Sequence, residues 1–139
     1  MRVINPEELG APKGYSHGVL APPGSRLLFV AGQVGWDRQQ RIVSPDFTAQ
    51  VERALDNVLA VVRAAGGRTE HVVRMNLYVR DKTSYMASLK TIGAAWRSRM
   101  GHHYPAMTLV EVSALLEEGA LVEIEATAAL PPERKVMRE

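Results

Sequence analysis

The opening of the chain is punctuated by Pro and Gly as far as Gly24, and the first continuous apolar run is Leu27 to Ala31, ending at Gly32. A short run of this kind reads as a strand buried on both faces. Trp36, Asp37, Arg38, Gln39, Gln40 and Arg41 then form a polar turn region, with Ile42 and Val43 as a returning strand. Ser44 and Pro45 mark a helix start, because a Ser side chain accepts from free amide groups and Pro is preorganised for the first turn. Behind them Val51, Leu55, Val58, Val62 and Ala65 recur at steps of four and three. Glu52, Arg53, Asp56, Asn57 and Arg63 take the other side, and Gly66 with Gly67 supplies the stop. One apolar stripe on a helix predicts packing on a sheet.

At Val72 the period drops to two and stays so to Val79, which places Val73, Met75, Leu77 and Val79 on one face and Arg74, Asn76 and Tyr78 on the other. Thr83 or Ser84 can cap a second helix with the stripe Tyr85, Leu89, Ile92, Trp96 and Met100, ended by Gly101. Strands are expected over Met107 to Ser113 and Leu121 to Ala129. In the last, Val122, Ile124, Ala126 and Ala128 alternate with Glu123, Glu125 and Thr127. The fold class is α+β: a mixed β-sheet with two helices on one face. The second face is expected to carry Leu109 beside Glu111, Glu123 and Tyr78, a mixture that suits a subunit interface better than open water. The expectation is a homo-oligomer.

Composition narrows the chemistry. A chain of 139 residues that is 46% hydrophobic suits one domain, taken as 1–132, with 133–139 a charged tail. There is no cysteine, so thiol catalysis, disulfides and Cys-containing metal sites are excluded. No secretory leader and no apolar stretch of membrane-spanning length is evident, which points to the cytoplasm and no membrane partner. Lys and Arg number 17 against 15 Asp and Glu. Without a basic cluster interleaved with aromatics, nucleic acid is not an expected partner. His102 and His103 are adjacent loop residues without a carboxylate at useful spacing, so no metal is expected. His71 is read as a strand start. Ser16 has no triad spacing, and the glycine stretches match no phosphate loop, so no cofactor is implied.

Several segments in order resemble the RidA (YjgF) family, named for reactive intermediate deaminase. They are Gly14-Tyr15-Ser16-His17-Gly18, Leu28 to Gln33, the helix residues Gln50, Ala54, Leu55, Asn57, Val58 and Leu59, then Ala64 to Gly66, Val72 to Arg74 with Asp81, Pro105 to Val112, and Gly119 to Ala126. The resemblance implies a chorismate-mutase-like fold, a homotrimer, and a small-molecule cleft between subunits. Best-known members hydrolyse reactive enamines and imines to a keto acid and ammonia. Where those members carry an arginine after the Pro-Ala pair, this chain has Met107, which offers no donor and no charge to a substrate carboxylate. The family's asparagine in the second helix is also missing from Ser88-Leu89-Lys90.

The resemblance makes Glu123 the catalytic candidate, guiding the attacking water. The plainer alternative is that it lines an interface or pairs with Arg74. Tyr15, His17, Gly32, Gln33 and Met107 are the substrate-binding candidates. Against this, His17 suits a surface loop and Gly32 close packing. The leading functional reading is a deaminase-type hydrolase of C=N bonds with altered preference because of Met107, a 2-aminomuconate deaminase being one variant. A non-catalytic ligand-binding or protein-stabilising module is the second. The ribonuclease or translation-inhibitor activity ascribed to some relatives comes third, for lack of basic surface.

Overall fold

Asp46, rather than Ser44, caps the first helix: its carboxylate accepts from Ala49 N at 2.9 Å, while the Ser44 hydroxyl accepts from Asp46 N. Helix α1 runs Phe47–Ala64 and buries Val51, Leu55, Val58 and Val62 of the expected stripe together with Ala54 and Leu59, while Ala65 is the C-cap and only partly buried. Each fully buried Val or Leu contributes about 1.5–3 kcal/mol. In this computed structural model the described residues are 1–133, so the expected charged tail lies outside them except for Glu133, which stands 3.7 Å from Arg26.

The strands are β1 Arg2–Ile4, β2 Gly18–Leu20, β3 Arg26–Val34, β4 Val72–Val79, β5 Ala106–Glu111 and β6 Val122–Leu130. β1 and β2 form a small antiparallel hairpin that the Pro- and Gly-rich opening conceals. The other four make a mixed sheet in the order β3-β6-β4-β5, with β4 and β5 parallel. The expected returning strand at Ile42 and Val43 reduces to a single bridge, Trp36 with Ile42. Its turn is closed by the Asp37 carboxylate, which accepts from Gln39 N and Arg41 N.

The second helix is in fact two. Asp81 caps α2 (Lys82–Ala87) by accepting from Thr83 N at 2.8 Å, and Ser88, at φ −109°, breaks the run before α3 (Leu89–Met100). The apolar stripe nevertheless continues across the break, because Tyr85, Ile92, Trp96 and Met100 all meet the core formed with α1. In β4 a bulge at Val73 changes the inward set: Val72, Met75, Leu77 and Val79 are buried and Val73 is not. The extra residue shifts the phase that strict alternation assigns.

The faces also need correction at β5. Leu109 is in register with buried Leu77, so it belongs to the helix-covered face. Glu111, at the strand's end, accepts from Lys82 N at the start of α2 and does not sit with Glu123. The open face is built from Leu27 and Phe29 of β3, Glu123, Glu125 and Thr127 of β6, and Asn76 and Tyr78 of β4. His71 closes a 3-10 turn immediately before β4 instead of starting the strand.

Candidate active site

On the open face β6 presents Glu123 opposite Tyr78, and Glu125 opposite Asn76. Opposite them β3 carries a bulge between Val30 and Gln33, where Ala31 and Gly32 take the space of a single residue. The bulge turns Gly32 toward Glu123, whose side chain lies across the glycine. A Cβ built on Gly32 would stand 2.8 Å from Glu123 Cδ and 3.0 Å from its Cγ, closer than real side chains tolerate. Gly32, Tyr78, Glu123 and Glu125 line a groove of about 320 Å³ whose other walls, from the loop after β5, are Val112, Ala114, Leu115 and Leu116.

Glu125 is clamped. Its Oε1 accepts from the Tyr78 hydroxyl at 2.5 Å and from Asn76 Nδ2 at 3.0 Å. These bonds favour the ionised carboxylate and hold Glu125 below the usual carboxylate range, the Tyr78 bond contributing most and the positive charge of Arg74 adding to it. The same bond to Glu125 is the main reason the Tyr78 phenol is held above its ordinary value, with burial adding to it. Asn76 Oδ1 is buried with no partner. No ion pair joins Arg74 to Glu123 among the described residues. The groove thus offers two neighbouring carboxylates, one fixed by hydrogen bonds and the other lying over a glycine.

Tyr15 and Met107 meet elsewhere. Met107 is in register with Met75, a core residue, so it points to the helix-covered face. There Lys13, Gly14, Tyr15, Leu77, Tyr85, Met107 and Leu109 enclose a second cavity of about 320 Å³. It adjoins one of about 330 Å³ that reaches Trp96, Arg97 and Tyr104. Ser16 secures this edge: its N–H donates to Pro105 O at 3.0 Å and its hydroxyl to Tyr104 O at 2.5 Å. Burial raises the Tyr85 phenol, as expected of a drying wall.

The expected site residues therefore divide. Glu123 and Gly32 share the open-face groove, Tyr15 and Met107 share the cleft on the other face, and one chain does not bring the two pairs together. His17 packs edge-on against Tyr15 at 5.3 Å and reaches Gly10 O with its Nε2 at 3.0 Å, holding the N-terminal segment. Gln33, in register with buried Ile124, turns its amide to Ala31 O and lines neither cavity. Sequence reasoning missed the clamp on Glu125, although the alternation of β4 and β6 already placed Asn76, Tyr78 and Glu125 on one face. It also missed Lys13, Tyr85 and Arg97, which no periodicity associates with Met107.

Comparison with known proteins identifies the family of the chain. Residues 6–130 match the family described as Endoribonuclease L-PSP. The chain belongs to this family, that of the RidA and YjgF proteins. A RutC family protein of Pyrococcus horikoshii is 34% identical over 128 residues, covering 91% of this chain and 95% of its own. The 2-iminobutanoate/2-iminopropanoate deaminase of Salmonella typhimurium is 31% identical over 105 residues, covering 73% of this chain and 78% of its own. A solved structure of a conserved Rid-family protein from Yersinia pestis superposes with a TM-score of 0.82 at 37% identity, covering 93% of this chain and 98% of that one. The family thus includes deaminases of small imino acids. Among the described residues no helix is long and apolar enough to cross a membrane.

Proposed function

We propose that this protein is a deaminase-type hydrolase that converts a small imine or enamine to a carbonyl compound and ammonia, with Glu123 guiding the water. The observation that carries the reading is the Glu123 carboxylate, seated over Gly32 in an open groove and beside a second, clamped carboxylate. In the reaction Glu123 accepts a proton from water as the oxygen adds to the C=N carbon. The Glu123 carboxyl then returns that proton to the carbinolamine nitrogen, the C–N bond breaks to release ammonia, and the C=O bond forms as the hydroxyl proton passes back to the carboxylate. The protonated iminium is a cation, and the Glu123–Glu125 pair stabilises it electrostatically before water adds.

Two further features belong to this reading. The active unit is a trimer of the chorismate-mutase-like type, working in the cytoplasm. In it the groove holding Glu123 faces a neighbour's cleft holding Tyr15 and Met107, which explains why a single chain keeps the two halves apart. Substrate preference differs from that of members with an arginine at position 107, because a thioether gives a carboxylate neither charge nor hydrogen bond.

The test is ammonia release from a panel of imines generated in situ, with and without carboxylates, comparing wild type, Glu123→Gln and Met107→Arg. Wild-type turnover that falls about a hundredfold or more in Glu123→Gln is the expected result. Equal rates in wild type and Glu123→Gln would remove Glu123 from the chemistry. Silence of the wild type on every imine, with an intact small molecule co-purifying, would favour the ligand-binding alternative.

A further inference from the structure

The cleft around Met107 is apolar at its floor and cationic at its rim. Leu77, Leu89, Ile92 and Met107 supply the apolar surface. Trp96 and Tyr104 are stacked, with ring centroids 6.2 Å apart and planes 6° from parallel, and the Trp96 indole N–H donates to His103 O, so this wall is fixed. Two positive side chains, Lys13 and Arg97, line the same space. Neither takes part in an ion pair among the described residues, whereas nearby Arg99 is committed to Asp56 at 2.6 Å. Arg97 folds back along α3 over Gly93: a Cβ at Gly93 would stand 3.3 Å from Arg97 Nη1, so the missing side chain gives the guanidinium its place. Both side chains are exposed, and two cations without ion-pair partners beside an apolar, aromatic cleft suit an anion whose body is apolar.

We propose that Lys13 and Arg97 provide the carboxylate grip that Met107 lacks, so that the cleft takes a 2-imino acid, or its 2-keto acid product, with a bulky apolar or aromatic side chain lying across Met107. Moving the grip from the strand to the helix and the N-terminal segment leaves the apolar floor free for that side chain. The carboxylate also stays clear of the two acids of the open-face groove, whose charge would repel it. The chemistry rests on the deaminase reading, but the receptor is tested by binding alone.

Titration calorimetry with phenylpyruvate, pyruvate and the carboxylate-free ketone phenylacetone decides it, using wild type, Lys13→Gln, Arg97→Gln and the double variant. Phenylpyruvate is expected to bind the wild type at least about tenfold more tightly than either other probe, and to lose about tenfold in each single variant. Phenylacetone affinity should stay the same in all four proteins. Wild-type phenylpyruvate affinity in the double variant would overturn the proposal, as would phenylacetone binding as tightly as phenylpyruvate, or no binding of phenylpyruvate to the wild type. Glu123→Gln separates this from the catalytic reading. If it and the wild type both bind phenylpyruvate and neither releases ammonia from any imine, the receptor stands and the deaminase reading falls.

Discussion

At the scale of single residues, the informative position is one without a side chain. Gly32 was legible as the end of an apolar run, but its reason was not, since the bulge that turns it toward Glu123 depends on β6 lying alongside. The atoms that a Cβ at position 32 would strike belong to the end of a flexible side chain, so Gly32→Ala can fold by displacing the carboxylate. The expected outcome is an unfolding midpoint like the wild type's, with kcat falling toward that of Glu123→Gln and KM little changed. If kcat in Gly32→Ala instead matched the wild type, while Glu123→Gln lost activity, the seat of the carboxylate would not matter. Met107 was legible, from the resemblance alone, as a departure from the family pattern. Its surroundings were not, because Lys13 lies 94 positions away in sequence and Arg97 reaches it only through the path of α3.

At the scale of elements, the apolar stripes of α1 and of the α2–α3 pair were readable because helix periodicity is local. The errors arose where a local detail interrupted the period: the Asp46 and Asp81 side chains took the caps, the helix broke at Ser88, and the extra residue at Val73 shifted a strand's phase. Buried Gln50 shows a further kind of information that no period carries. Its amide donates to Ser44 O and Gly119 O and accepts from Leu121 N, tying the start of α1 to the approach of the strand that bears Glu123. Across the strands β4 and β6, the Tyr78–Glu125 bond gives a pH-dependent term. Because Glu125 is held below its unfolded value, its contribution to stability is present above the ordinary carboxylate range and is lost as pH falls through the depressed folded value. Tyr78→Phe is therefore expected to cost about 1 kcal/mol at neutral pH, with the difference from wild type shrinking below about pH 4. Urea unfolding at both pH values measures it, and a difference independent of pH would assign the loss to packing.

At the scale of the whole molecule, the open sheet face bears on the assembly proposed above. Phe29 is 74% exposed and Leu27 58% exposed in the single chain, on the same face as the half-buried carboxylates of the groove. Burying a Phe removes on the order of 150–250 Å² from water at about 25 cal/mol per Å², and soluble chains seldom leave such surface uncovered beside a polar network. In the assembly proposed above, a symmetric oligomer would cover it and at the same time bring one chain's groove to another chain's cleft. Light scattering is expected to give three times the 15.3 kDa of one chain. Phe29→Glu would force an unpaired carboxylate into that contact, a cost of several kcal/mol, and should yield folded monomers with an unchanged circular dichroism spectrum. Since one chain alone holds Glu123 and Tyr15 on opposite faces of its sheet, those monomers should also have lost turnover. A variant that kept the wild-type mass would show that this face is not the interface. A monomeric variant that kept full activity would show that one chain suffices, and the division of the site between subunits would then be wrong.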